Sequence, residues 1–386
     1  ELKNQALTSD AAPITIRDLL THSAGFPEDN PWGDRQLEKT PQDLIALIKK
    51  GIHFSTATGL SYEYSNLGFT MLGYIIEKVS GKNYGAYIKE NIWKPLNMEA
   101  SWEFSSIVDA KLAHGYRWID NNWTEEALLH DGIYGAMGGM ITSLESFSKY
   151  VSLHLDAWPP RNNTETGPVK RSSIREMHQP SRFIGLNATY KYPSGRACAT
   201  STAYGYGLSW LKDCTGRTSI AHSGGLPGFG SNWRILPEYG LGVILLANVT
   251  YAPTAVLNTM VIDTILRMGT VDLQPRVLPA SEALKNAQAK LTELLPNWKN
   301  AAASNLFAEN FFDDYKIESL IKEAKSIFEE AGPIDGPGNF IPENELRGYY
   351  YLHAKNGTIK ISFTLTPTNP SQIQEYHISF QKQIQE

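Results

Sequence analysis

The chain has 386 residues, of which 42% are hydrophobic and 19% charged, and its net charge is −5. This length allows one large domain and a smaller one, and the composition excludes a disordered chain. No clustered run of Lys and Arg offers a surface for nucleic acid, and no apolar run approaches the roughly 20 residues of a membrane-spanning helix.

The first residue is Glu1 and no signal peptide is visible, so the expectation is a chain that starts after its true beginning. Residues 14–20 predict a short amphipathic helix, and a loop rich in Pro, Gly and Asp follows over 25–33. Leu67, Met71, Leu72, Ile75, Ile76 and Val79 recur at helical spacing, with Gly81 placed to end that helix. Residues 142–155 predict another helix. Residues 157–203 read as an irregular excursion. Cys198 and Cys214 are the only cysteines. A disulfide would fit an exported protein, and two reduced thiols are the alternative.

Further on the pattern changes. Segments 204–212, 218–222, 233–236 and 241–248 are strand-like, separated by turn residues such as Pro227-Gly228 and Tyr239-Gly240, which predicts an antiparallel meander. A helix over 255–268 closes it. Residues 271–282 hold Pro275 and Pro279 and read as a linker. Beyond lie two helical patterns, near 283–295 and 315–331, then strands over 347–354 and 359–366. Asn356-Gly357 stands between those strands as a hairpin signal. Tyr376, Ile378 and Phe380 give a last strand, so 283–386 reads as a small α+β domain.

Two stretches carry candidate chemistry. Tyr64 stands just before the second helix, with Asn66 two residues on. A phenol titrates near 10 and serves as a base near neutrality only where cations favour the phenolate. Taken alone, the two read first as a packed aromatic and a helix cap. His222-Ser223-Gly224-Gly225 follows a strand-like stretch. Its glycines allow a ligand close to the backbone, and the Gly225 N–H suits an oxyanion hole; the plain alternative is a strand ending in a glycine turn. Nine histidines without close ligand spacing suggest no metal, and no cofactor is expected.

Read together, these stretches and their neighbours resemble the class C β-lactamase and D-Ala-D-Ala carboxypeptidase-like serine hydrolases. The resemblance rests on Leu19-Leu20-Thr21-His22-Ser23-Ala24-Gly25-Phe26-Pro27 and Tyr64-Ser65-Asn66-Leu67-Gly68-Phe69. Pro95-Leu96-Asn97-Met98, Gly138-Gly139-Met140 with Thr142-Ser143, and His222-Ser223-Gly224-Gly225-Leu226-Pro227-Gly228-Phe229 extend it across about 14–268. It implies an α+β fold: an antiparallel sheet flanked by helices, with the hydrolase domain spanning 1–270. It makes Tyr64 the base, Asn66 the residue that positions a catalytic lysine and the substrate amide, and Gly225 an oxyanion donor. His222 stands where relatives carry lysine, and Ser223 and Gly224 line the substrate side. The implied reaction is acyl transfer, through an acyl-enzyme, from an ester, D-amino-acid peptide or β-lactam to water. Implied with it are a peptidoglycan-derived ligand and a periplasmic or extracellular location. A neutral His222 would weaken attraction for a penicillin carboxylate, favouring esters or peptides.

One departure is large. The family's S-x-x-K precedes its Y-x-N, and nothing before Tyr64 fits. Ser146-Phe147-Ser148-Lys149 matches formally but falls after Tyr64, on a helix expected to be structural. Ser23 and Ser223 each sit in an elbow-like G-x-S-x-G mimic without the strand-then-helix context such an elbow needs. The expectation is an N-terminal truncation that removes the nucleophile helix and two strands. The chain alone is then inactive, and strand 241–248 becomes an open edge. The alternative is a non-catalytic ligand- or peptidoglycan-binding protein that keeps the pocket. The tail over 283–386 more weakly resembles NTF2-like accessory domains, through Arg347-Gly348, Asn356-Gly357 and the stretch from Phe363 to Pro367.

Overall fold

A computed structural model describes residues 5–268, 273–276 and 278–382. The chain divides into two compact units, Glu1–Arg276 and Val277–Glu386. Part of the expected linker, and the ends of the chain, lie outside the described residues.

Local signals start the helices of the first unit. Helix α1 (Ile16–Leu20) begins at a capping box in which Thr15 and Asp18 satisfy each other's backbone N–H. Helix α2 (Pro41–Lys50) repeats the device with Thr40 and Asp43 and adds Pro41 in its first turn. The predictions passed over that helix. Helix α3 (Asn66–Ser80) is capped by Ser65 and stops where Gly81 turns left-handed at φ 70°. Leu19, Phe26, Leu44, Leu67 and Met71 form the core between these helices. Strands β1 (Tyr116–Ile119) and β2 (Asn122–Glu125) make a hairpin whose turn residues, Asp120 and Asn121, both have positive φ.

Helix α4 (Leu144–Asp156) is followed by a segment that is less irregular than expected. It holds helix α5 (Arg171–Met177) and strand β3 (Arg182–Asn187). The predicted strand over 204–212 is two strands. Strand β4 (Thr200–Tyr204) ends at Tyr204, and β5 (Ser209–Asp213) begins after a turn through Gly205 and Gly207. Gly207 has φ +69°, a conformation that breaks period two and that the composition of the stretch concealed. Cys198 and Cys214 are disulfide-bonded with Cα atoms 5.4 Å apart, tying the approach to β4 to the end of β5.

Strand β6 (Thr218–Leu226) runs past His222 through both glycines, and β7 (Phe229–Leu236) pairs with it as far as Leu226↔Phe229. The glycine turn expected after His222 is therefore a strand. Cross-strand pairing continues because a glycine backbone keeps its ladder groups without a side chain. Strand β8 (Leu241–Ala247) ends the six-stranded antiparallel sheet, whose order is β8-β7-β6-β5-β4-β3. Helix α4 packs on one face, where Val151, Ile220, Trp233 and Ile235 form a core. Helix α6 (Thr254–Met268) lies against β7 and β8, and its Asn258 reaches the Asn232 side chain. Trp233 and Asn232 are consecutive, so period two puts the two helices on opposite faces.

The second unit sets helices α7 (Glu282–Leu294) and α8 (Ile317–Ala331) with a sheet of order β9-β10-β11-β12. Its strands are β9 (Ile334–Pro337), β10 (Arg347–Ala354), β11 (Gly357–Leu365) and β12 (Ile373–Lys382). The predicted alternation holds: Ile359, Ile361, Phe363 and Leu365 are all buried in one core with Leu284, Leu291 and Trp298. An α+β class is borne out for the chain.

Candidate active site

Helix α3 is aimed at the site by its N-terminus. The Asp29 carboxylate accepts from Asn66 N–H at 2.6 Å, from Leu67 N–H at 2.9 Å and from the Ser65 hydroxyl at 3.2 Å. A carboxylate there satisfies orphan N–H groups and meets the positive end of the helix dipole. Asn66 is buried, and its amide donates to the Asn30 side chain at 3.0 Å. Asp29 and Asn30 were not foreseen; they fall in the stretch predicted as a loop, where Asn30–Gly33 forms a short helical turn with Asp29 before it.

Tyr64 precedes this cap and stacks with His22, ring centroids 4.1 Å apart. His22 also meets Phe69 at 5.0 Å and Tyr204 at 4.8 Å. Its Nδ1 accepts from Ser65 N–H at 3.1 Å, which leaves the proton on Nε2. Across this box the Tyr64 and His222 ring centroids are 6.2 Å apart. The Tyr204 hydroxyl bonds His222 Nε2 at 2.9 Å. The structure thus brings Tyr64 and His222 together, over 150 residues apart in sequence, and adds His22 and Tyr204. Sequence reasoning had His22 only as part of a matching stretch, and it had placed Tyr204 within a strand without a role.

The rest of the His222 stretch divides by strand alternation. Ser223 and Gly225 fall on the face opposite His222 and Gly224. The Ser223 hydroxyl accepts from Asn232 at 3.0 Å, and Asn232 is itself held by Asn258 of α6. Gly225 is required: a Cβ there would lie 2.4 Å from the Tyr251 ring. Tyr251 in turn donates to buried Asp34 at 2.6 Å.

Electrostatics leave this box neutral. Burial pushes the Tyr64 phenol up, and the charges of Tyr62, Asp34 and Asp29 push it the same way. Among the described residues no cation stands with the groups acting on it. Burial, with His222 as a second cause, pulls His22 down to about 3. Burial also lowers His222, against an opposing contact with the Ser223 backbone. Asp29 and Asp34 are raised by burial despite their hydrogen bonds.

The formal S-x-x-K match is engaged elsewhere. Ser146 is buried, and its hydroxyl accepts from Glu99 N–H at 2.5 Å, while Lys149 Nζ donates to the Asn97 carbonyl at 2.5 Å. The pair staples the Pro95–Glu99 stretch to α4. Ser23 is fully buried and shares hydrogen bonds with Thr21 and Asp18. No group of three or more metal-ligating side chains occurs among the described residues, and none of their helices is long and apolar enough to cross a membrane.

A sheet with helices on both faces, and a tyrosine at a helix start opposite a histidine on a glycine-bearing strand, define a β-lactamase/penicillin-binding-protein-like fold. The family model described as Beta-lactamase matches residues 4–266, and the chain belongs to that family. Among curated proteins it is similar to Unguisins hydrolase ungD' of Aspergillus campestris, 26% identical over 63% of this chain and 44% of that protein. It is also similar to Protein flp of Staphylococcus aureus, 26% identical over 65% of this chain and 47% of that protein. The chain thus spans less than half the length of these curated relatives. Among solved structures, the octameric penicillin-binding protein homologue from Pyrococcus abyssi superposes with TM-score 0.54 at 19% identity, over 96% of this chain and 75% of that one. A D-amino acid amidase from Ochrobactrum anthropi gives TM-score 0.50 at 19% identity, over 68% and 75%. Both show likeness of fold.

Proposed function

We propose that this chain belongs to a serine hydrolase that works through an acyl-enzyme on an ester or a D-amino-acid peptide. The observation that carries the reading is the closed set of Tyr64, His22, Tyr204 and His222 between the start of α3 and strand β6. Tyr64 acts as general base on the nucleophile and returns the proton to the leaving group. Asn66 positions the lysine and the substrate amide, and Gly224 and the Gly225 N–H line the acyl side, to which Ser223, its side chain on the opposite face, brings only backbone. A neutral His222 gives no ammonium to a penicillin carboxylate, which disfavours β-lactam turnover. The nucleophile and the cation that would lower Tyr64 come from polypeptide outside the described residues, since Ser146, Lys149, Ser23 and Ser223 are all engaged elsewhere. Relatives named as a hydrolase and an amidase support the reaction class. The disulfide supports a secreted or periplasmic location. Residues 283–386 serve as an NTF2-like accessory module.

The raised Tyr64 phenol favours one rival, a non-catalytic protein that binds peptidoglycan-derived ligands in the same pocket. A fluorophosphonate probe separates the two. The 386-residue chain should show no covalent label, and the uninterrupted gene product containing it should label at a serine outside these residues. Label on Ser146 overturns the assignment, and a gene product that never labels leaves the binding protein.

A further inference from the structure

On the sheet face opposite His222, a cavity of about 60 Å³ lies between the sheet and α6. Arg234 of β7 borders it. The Arg234 Nη1 donates to the Ser219 hydroxyl at 2.7 Å, but its Nε is buried and has no acceptor. No carboxylate lies within salt-bridge distance of this guanidinium among the described residues, although burial already disfavours its charge.

Two carboxylates, Asp213 and Asp263, line the same cavity, and both are engaged with other groups. Asp213 accepts from the Tyr192 hydroxyl at 3.0 Å, from Arg196 at 3.5 Å, and from Thr215 at 2.9 Å (N–H) and 2.5 Å (hydroxyl). Asp263 faces Arg267 at 3.9 Å. Arg217 also borders the cavity, and its guanidinium has no hydrogen bond or ion pair among the described residues. Three arginines, Arg196, Arg217 and Arg234, and two carboxylates, Asp213 and Asp263, therefore line one space, and with Arg196 on Asp213 and Arg267 on Asp263 the guanidinium groups of Arg217 and Arg234 are left without an ion-pair partner among the described residues.

The geometry points to a binding site for a small oxyanion, a carboxylate or a phosphate, held between Arg234 and Arg217. With Nη1 on Ser219, the Nε edge of Arg234 remains as the planar fork that grips two oxygens of one anion. A single water needs at least ~10–15 Å³ of such volume, so this cavity has room for no larger ligand than an ion of a few heavy atoms. That is the size of acetate, bicarbonate, phosphate or sulfate. Leu236, Ile262 and Leu266 supply apolar wall, which lowers the local dielectric and strengthens the charge interaction. The site is independent of the proposed hydrolase chemistry, which lies on the other face.

The test is thermal unfolding of the chain at fixed ionic strength with acetate, bicarbonate, phosphate, sulfate or chloride. A saturable rise in Tm is expected with the planar anions or with the tetrahedral ones, and which pair responds identifies the source. Arg217→Ala, at a partly buried position, should weaken the response about tenfold, the loss of one charge-assisted contact. Arg234→Met should abolish it if it folds; Arg217→Ala decides the matter if it does not. No saturable response, a chloride response of equal size, or a full response in Arg217→Ala overturns the site.

Discussion

The two units bury different chemistry. In the second unit one continuous apolar cluster, from Leu284 through Trp298 to Phe363 and Tyr376, fills the space between helices and sheet. The first unit is more than twice as long, yet its apolar core breaks into three clusters. Between them lie buried polar side chains, among them His22, Asn66, His154, His178, Asn232 and Asn258, and every buried polar residue among the described ones belongs to this unit. A buried polar group costs free energy unless it is paired, so such a network persists where it holds a geometry that apolar packing would not specify. The second unit is built for stability and the first for placing side chains.

The sharpest test of that contrast is Tyr64→Phe in the catalytically competent gene product. Acyl transfer should fall about 10²–10⁴-fold, the range for losing a general base, while thermal stability stays nearly unchanged. Equal losses of activity and stability would mean that Tyr64 is only a core aromatic. In the second unit the converse holds. Phe363→Ala removes a ring from the continuous core and should cost about 3–5 kcal/mol in denaturant unfolding. A cost below about 1 kcal/mol would show the core to be less closely packed than it is described.

Acid should find the first unit before the second. Trp158 donates to His178 Nδ1 at 2.9 Å, and His178 Nε2 bonds His154 Nδ1 at 2.8 Å, an arrangement of two neutral rings. Burial lowers His154 to about 3, with His178 as a second cause, and lowers His178 to about 4. These groups sit below the roughly 6.5 of an unfolded histidine, so the unfolded state binds more protons between those values. Their contribution is complete above about pH 6.5 and is lost as pH falls toward 4 and 3. Unfolding of the first unit should therefore take up roughly one proton per buried histidine near pH 5, read from the pH slope of its stability. His154→Phe should flatten that slope; an unchanged slope would deny the pair its role. The smallest expected effect is Ser146→Ala, about 1 kcal/mol for the bond to Glu99 N–H, with no change in probe labelling of the gene product.

Much of the second unit was legible in the sequence. Period-two apolar residues at 359–365, the Asn356-Gly357 turn and two helical patterns each describe neighbours a few residues apart, and such local rules fix local structure. Helices α1 and α3 were legible for the same reason, through Thr15 with Asp18 and through Gly81. The misreadings fell where backbone conformation answered to distant partners. Gly207 splits one predicted strand into two. Gly224 and Gly225 continue a strand because β7 pairs with them, where composition alone suggested a turn.

By itself the sequence determined the family, the two-unit organisation of helices and strands, and Tyr64, Asn66 and His222 as the residues to watch. It could do so because motif order and short-range periodicity survive in one dimension. The tertiary structure alone decided that His22 and Tyr204 complete the box, that Asp29 caps α3, and that Ser146 and Lys149 are structural. It also decided that burial and acidic neighbours hold Tyr64 protonated. Each of these depends on which groups share a low-dielectric interior across tens or hundreds of residues, and burial and Coulomb energy depend on distance in space, to which position along the chain is no guide.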